Sequence, residues 1–220
     1  MSIPQNIQKI TSEIAPSARL IAVTKTKPVA MLMEAYNAGF KRYGENKVQE
    51  MEMKYEQMPK DIEWHLIGHL QTNKVKYIAP FVAMIHSVDS LKLAQEINKQ
   101  AAKNNRVVDC LLQIFIAQEE TKFGLSEEEA KELLTSEAFC ALKNIRVVGL
   151  MGMASNIDDN AQIRREFRGL KQFFDELNAT ICTQDAALTE LSMGMSSDYL
   201  IAVEEGSTLV RVGSAIFGSR

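Results

Sequence analysis

The sequence predicts an α/β fold: a single TIM-like (β/α)8 barrel with an extra helix at its N-terminus. Short apolar runs alternate with longer amphipathic ones about eight times, the pattern of parallel strands joined by crossover helices. A length of 220 residues is enough to bury a sizeable core. No Pro/Gly/Ser-rich linker or change in charge density interrupts the rhythm, so residues 1–220 read as one domain.

The first helix runs from Gln5 to Ile14, ahead of the sheet. Strands are expected at LIAVT (20–24), FKRYG (40–44), EWHLIG (63–68), FVAMIHSV (81–88), VVDCLLQIF (107–115), IRVVGLMG (145–152), LTELSM (188–193) and TLVRVG (208–213). The intervening helices are VAMLMEAYNAG, VQEMEMKYEQM, TNKVKYI, LKLAQEINKQAAKNN, SEEEAKELLTSEAFCAL, NAQIRREFRGLKQFFDEL and SSDYLIAVEEG. One of them carries the apolar stripe Leu91, Ala94, Ile97 and Ala101, a face to lay on a sheet. The second and seventh strands are weak by composition, which leaves an open doubly wound sheet as the alternative. The polar loop MGMASNIDDN (151–160) is a candidate lid or a plain solvent-exposed connection.

With 46% hydrophobic and 24% charged residues, the composition is that of a globular chain and argues against disorder. A net charge of -3 creates no field for nucleic acid or anionic lipid, while leaving room for a local pocket that holds one phosphate. Cys110, Cys140 and Cys182 stand singly and read as small buried hydrophobes in a reducing compartment. The N-terminus has no signal-peptide pattern and no stretch approaches a membrane span, so a cytoplasmic protein is expected. With no interaction tail evident, a monomer is expected too.

In such a barrel, chemistry belongs at the C-terminal strand ends. Polar residues gather there: Lys25, Glu45, Asn46, His69, Gln71, His86, Ser87, Asp89, Lys122, Ser192, Ser196, Arg211, Gly213 and Ser214. Solubility alone would also produce polar strand ends. Period-two alternation sets Ile21, Val23 and Lys25 on one face, so Lys25 points into the barrel if its neighbours do. Lys27, past the strand and before Pro28, reads as a surface residue. A partly desolvated lysine at a barrel mouth favours the neutral amine that attacks a carbonyl; a solvated strand-end lysine is the plain alternative.

Two loops offer converging N–H groups and small side chains suited to phosphate: LSMGMSSDY (191–199) and VRVGSAIFG (210–218). A serine or Asp198 is placed to cap the helix that follows the first. Arg211 shares a face with Leu209, which turns it inward as a permanent donor to a ring nitrogen or an anion; a salt bridge to an acidic neighbour is the plain alternative. His65, His69 and His86 have no metal-ligand spacing, so no metal is expected.

The ordered set AVTKTKP, YGENKVQE, WHLIGHLQTNK, IHSVDS, TKFG, GLMGMA, LSMGMSSDY and VRVGSAIFG resembles the pyridoxal 5′-phosphate homeostasis protein family, also called the YggS or proline synthase co-transcribed protein family. The resemblance implies a barrel of the alanine racemase N-terminal domain type, and pyridoxal 5′-phosphate as cofactor. It implies covalent attachment to Lys25 as an aldimine, with Asn46 beside the cofactor and Arg211 facing the pyridine nitrogen. Ser192, Ser196, Gly213 and Ser214 then fall in the phosphate-binding loops. The implied role is vitamin B6 and amino-acid/keto-acid homeostasis without robust enzymatic turnover, with transient contacts to cofactor-requiring enzymes. The alternatives are a racemase-type enzyme and a regulatory protein that engages such enzymes.

Overall fold

The computed structural model describes residues 2–117, 124–180 and 187–218. Lys122 and Cys182 lie outside the described residues. Helix α1 (Ile3–Ile14) precedes the strands β1 (Arg19–Val23), β2 (Arg42–Glu45), β3 (Glu63–Leu66), β4 (Met84–Val88), β5 (Val108–Gln113), β6 (Ile145–Met151), β7 (Glu190–Ser192) and β8 (Leu209–Val212). The connecting helices are α2 (Val29–Asn37), α3 (Val48–Gln57), α4 (Val75–Ile78), α5 (Leu91–Lys103), α6 (Glu127–Thr135), α7 (Glu137–Cys140), α8 (Asn160–Thr180) and α9 (Tyr199–Glu204), and α10 (Ser214–Phe217) follows the last strand.

All strand pairs are parallel and the sheet closes, β1 pairing with both β2 and β8. Closure excludes the open doubly wound sheet. The two compositionally weak strands are held by their neighbours: β2 pairs along its whole length with β3, and Thr208 and Met193 amides complete the β7–β8 seam.

Alternation sorts each strand into two environments. Ile21, Met84, Leu111, Met151 and Leu209 meet inside the barrel. Leu20, Ala22, Trp64, Leu66, Ile85, Val210 and Val212 face the helices in the larger outer core. Each leucine, isoleucine, valine or methionine among them, fully buried, contributes about 1.5–3 kcal/mol relative to exposure. Helix α8 shows how a helix joins that core: Ile163, Phe167, Leu170, Phe173, Phe174 and Leu177 recur at helical spacing and are all buried. Capping boxes start α1 (Ser2 with Gln5) and α6 (Ser126 with Glu129).

Several element boundaries differ from the sequence expectation, each for a local reason. Phe40 closes α2 through its N–H to the Ala35 carbonyl, so β2 begins at Arg42 and extends to Glu45. Phe81 and Val82 likewise donate to the Ile78 carbonyl and finish α4, leaving β4 to start at Met84. The single helix expected over residues 126–142 is divided at Ser136, which is extended and caps α7 through Phe139 N–H. Leu91 is only half-buried and Leu93 takes its place in the α5 stripe. Cys110 is buried as expected, whereas Cys140 is exposed, because it falls on the outer side of the short α7 while Phe139 takes the core position.

Among the described residues no helix is long and apolar enough to cross a membrane. Strands β6 and β7 approach most closely at Gly149, where an added Cβ would lie 1.7 Å from the Glu190 carbonyl oxygen. Gly149→Ala is therefore expected to lower unfolding stability by at least about 2 kcal/mol. Gly169→Ala, inside α8 with nothing within 4 Å of the new methyl, should raise it by about 1 kcal/mol. Urea unfolding of the two variants measures both signs.

Candidate functional site

The C-terminal strand ends enclose a cavity of about 350 Å³ whose lining includes Lys25, Asn46, Ser196, Arg211, Gly213 and Ser214. Six of the seven site residues expected from sequence therefore meet in one place. Lys25 is half-buried, and among the described residues its ammonium has no hydrogen-bond or ion-pair partner. It sits in a turn over residues 24–27 closed by Lys27 N–H to the Thr24 carbonyl at 3.0 Å.

Arg211 enters from the neighbouring strand β8. Its Nη1 donates to the Ser192 carbonyl (2.7 Å) and to Ser192 Oγ (2.6 Å), and its Nη2 to the Gly152 carbonyl (3.0 Å). Burial lowers its pKa to about 10, opposed by the charge of Asp198, so it remains a cation at neutral pH. Asp198 is buried with it, its carboxyl pushed up by burial while Met195 N–H donates to Oδ1 at 2.5 Å. That bond occupies the side chain which the sequence suggested as a cap for α9; Asp198 holds the cap position, its carbonyl accepting the Ala202 N–H at 3.0 Å, while its side chain makes no capping bond.

Gly213 and Ala215 N–H groups converge on Ser196 Oγ at 3.2 and 3.5 Å. Two amides aimed at one hydroxyl oxygen mark a place where an anionic oxygen is well received. A side chain at Gly213 would put its Cβ 3.1 Å from the Val23 carbonyl, so the close approach of β8 to β1 leaves little room for anything but glycine.

Ser192 departs from the expectation. It is fully buried and outside the cavity lining, because its inward-facing hydroxyl is taken up by Arg211 and by His86 Nδ1 at 3.0 Å. His86 Nε2 in turn meets His65 Nδ1 at 2.9 Å. Arg211 can only donate, so Ser192 accepts from it and passes its own proton to His86, which donates to His65. This direction leaves a single orphan, the buried His65 Nε2; the reverse would also strand the Ser192 hydroxyl. Burial pushes the His65 pKa down to about 3 and that of His86 well below the usual imidazole value, with neighbouring charges adding to the effect.

Lys27 also differs from the sequence reading. The turn folds it back onto the cavity wall, half-buried, where Nζ donates to the Gly218 carbonyl at 2.9 Å. Ile67 and Met153 line the cavity as well; continuing the alternation of His65 and Met151 by two residues identifies both. His69 is exposed, near Asp89. Tyr43 faces outward, its hydroxyl bonded to the Leu32 and Phe40 carbonyls. Among the described residues no group of His, Cys, Asp or Glu could hold a metal ion.

The family model for the alanine racemase N-terminal domain matches residues 2–220. A pyridoxal phosphate homeostasis protein of Aquifex aeolicus is 46% identical over 204 residues, covering 92% of this chain and 87% of the relative. The Synechocystis protein of that name is 37% identical and covers both chains completely. The chain belongs to the pyridoxal phosphate homeostasis protein family. Within that family, the structure of PipY from Synechococcus elongatus with pyridoxal phosphate bound superposes with a TM-score of 0.88 at 36% identity, covering 99% of this chain and 100% of PipY. Alanine racemase of Bartonella henselae shares the fold at 14% identity and TM-score 0.72, with 58% of its length covered.

The buried histidines make a pH prediction for this homeostasis-family barrel. Below about pH 6.5 the unfolded chain binds protons that native His65 and His86 refuse, so stability falls as pH drops toward about 3. Each histidine contributes up to about 1.4 kcal/mol per pH unit in that window. Denaturant titrations between pH 7 and 5 should show this slope, and His65→Leu should flatten it.

Proposed function

We propose that the chain binds pyridoxal 5′-phosphate as a Schiff base on Lys25, and that it stores, buffers or delivers the cofactor without robust turnover. The observation that carries this reading is the convergence on one cavity of an unpaired lysine, a buried arginine cation and two amides aimed at one oxygen. The aldehyde of the group condenses reversibly with a primary amine, and its ring withdraws electrons when the ring nitrogen is protonated.

The residues present fit such a group. Lys25 offers an amine that no carboxylate holds away. The amides of Gly213 and Ala215, with the Ser196 and Ser214 hydroxyls, suit a phosphate. Asn46 flanks the ring from the end of β2. Arg211, held by three oxygen acceptors, keeps its proton and donates toward the ring nitrogen, which disfavours ring protonation and weakens the electron sink. Ser192 serves this arrangement from below by holding Arg211 instead of touching phosphate.

The low-turnover reading draws on what surrounds Lys25. Racemisation needs an acid or base on each face of the substrate carbon. The described cavity lining includes Lys25, Lys27 and Arg211 but no histidine, tyrosine, cysteine or carboxylate; Tyr43 and His86 are committed elsewhere. Membership of the family supports a role in cofactor balance, and we take the protein to be a cytoplasmic monomer that meets cofactor-requiring enzymes transiently.

Absorption spectra of protein loaded with pyridoxal phosphate should show a band that borohydride abolishes, and peptide mapping should find the pyridoxyl adduct on Lys25. An adduct confined to Lys27 would sink the assignment. Gly213→Val should weaken pyridoxal phosphate at least about tenfold, and pyridoxal much less; equal losses would argue against a phosphate site there. Rapid amino-acid turnover that disappears in Lys25→Ala would overturn the carrier reading.

A further inference from the structure

The turn that presents Lys25 has an unusual backbone. Its third residue, Thr26, takes a φ of 63°, a conformation that glycine or asparagine normally fills and that a β-branched side chain resists. Something must hold it, and the holder lies beneath the sheet end, between β1 and α3.

Lys54 of α3 is buried, with 1% of its side chain exposed. Its ammonium donates to three oxygens, each at 2.7 Å: the Thr24 carbonyl, Glu45 Oε1 and Glu50 Oε1. The same Glu50 Oε1 accepts the Thr26 N–H at 2.6 Å, and Thr24 Oγ1 donates to Glu45 Oε1 at 2.5 Å. Both residues that flank Lys25 are thus tied to one ion cluster, the preceding one through its carbonyl and hydroxyl, the following one through its amide. None of the three charged residues, Glu45, Glu50 and Lys54, lines the cavity.

A buried cation between two carboxylates contributes little net stability compared with an apolar replacement, because desolvation offsets the attraction. Its effect is geometric: charge-assisted bonds at these lengths are strong and directional. A reacting amine displaced by about 1 Å loses much of its advantage. We propose that Glu50 and Lys54 are positioning residues that fix the Lys25 turn for attack on the cofactor aldehyde.

This inference rests on Lys25 being the attachment point. Its test compares two ligands that share ring and phosphate: pyridoxal 5′-phosphate, and pyridoxine 5′-phosphate, whose alcohol cannot join an amine. In Glu50→Ala, affinity for pyridoxal phosphate and the rate of borohydride-trapped adduct formation should fall about tenfold, with pyridoxine phosphate affinity changed less than about twofold. Glu50→Gln, which keeps an oxygen acceptor, should recover most of the loss. Lys54→Met should reproduce the selective loss, with thermal unfolding reporting whether that variant still folds. Equal weakening of both ligands, or no change in Glu50→Ala, overturns the positioning role. Failure of the wild-type protein to form a Lys25 adduct overturns the attachment reading, and this inference with it.

Discussion

Pairing of the first strand with the last is the interaction on which the rest of this molecule depends. Four parallel pairs, from Arg19 with Leu209 to Ala22 with Val212, close the sheet and leave none of its strands as an unpaired edge. The register also sets the chemistry. Lys25 lies just beyond the end of one strand, Gly213 just beyond the end of the other, and the glycine lets the two backbones approach within reach of one ligand. A slip of either strand by one residue would turn its own functional side chain, Lys25 or Arg211, away from the cavity.

Inside the barrel, apolar and polar side chains stand beside one another. Ile21, Met84, Leu111, Met151 and Leu209 form a packed core. Next to them on the paired strands, Arg211, Ser192, His86 and His65 form a buried polar chain. Burying a guanidinium is costly unless its protons are met, and here three oxygens meet them while Ser192 passes the chain on to two neutral histidines. The arrangement keeps a cation rigid in the cavity wall, which a ligand with a ring nitrogen could use and an apolar core could not supply. The Lys54 cluster does for Lys25 what Ser192 does for Arg211. Each places a buried polar group behind a functional one, so the site is held by side chains that do not touch the ligand.

Much of this was legible in the sequence, and the exceptions share a cause. Strand rhythm, the inward direction of Lys25 and Arg211, and the small residues around Gly213 follow from alternation and from the topology of parallel sheets. Alternation gives direction without depth, however, so it could not tell that Arg211 lies between Ser192 and the cavity. Lys27 was read as outward because Pro28 extends the chain there, yet the preceding turn reverses it onto the cavity wall. Thr26 and Ser136 act through their own backbone angles, and neither residue type announces the conformation it takes. Lys54 was hidden for a different reason: a lysine on an amphipathic helix normally means solvent, and its burial follows only from two carboxylates brought together by the fold.

A crystal structure of the protein with pyridoxal 5′-phosphate tests the central claim most directly. The account predicts continuous density from Lys25 Nζ to the former aldehyde carbon, Arg211 beside the pyridine nitrogen, and the phosphate on the Gly213 and Ala215 amides. A ring turned so that its nitrogen avoids Arg211, or a phosphate bound away from the Gly213 loop, would contradict it.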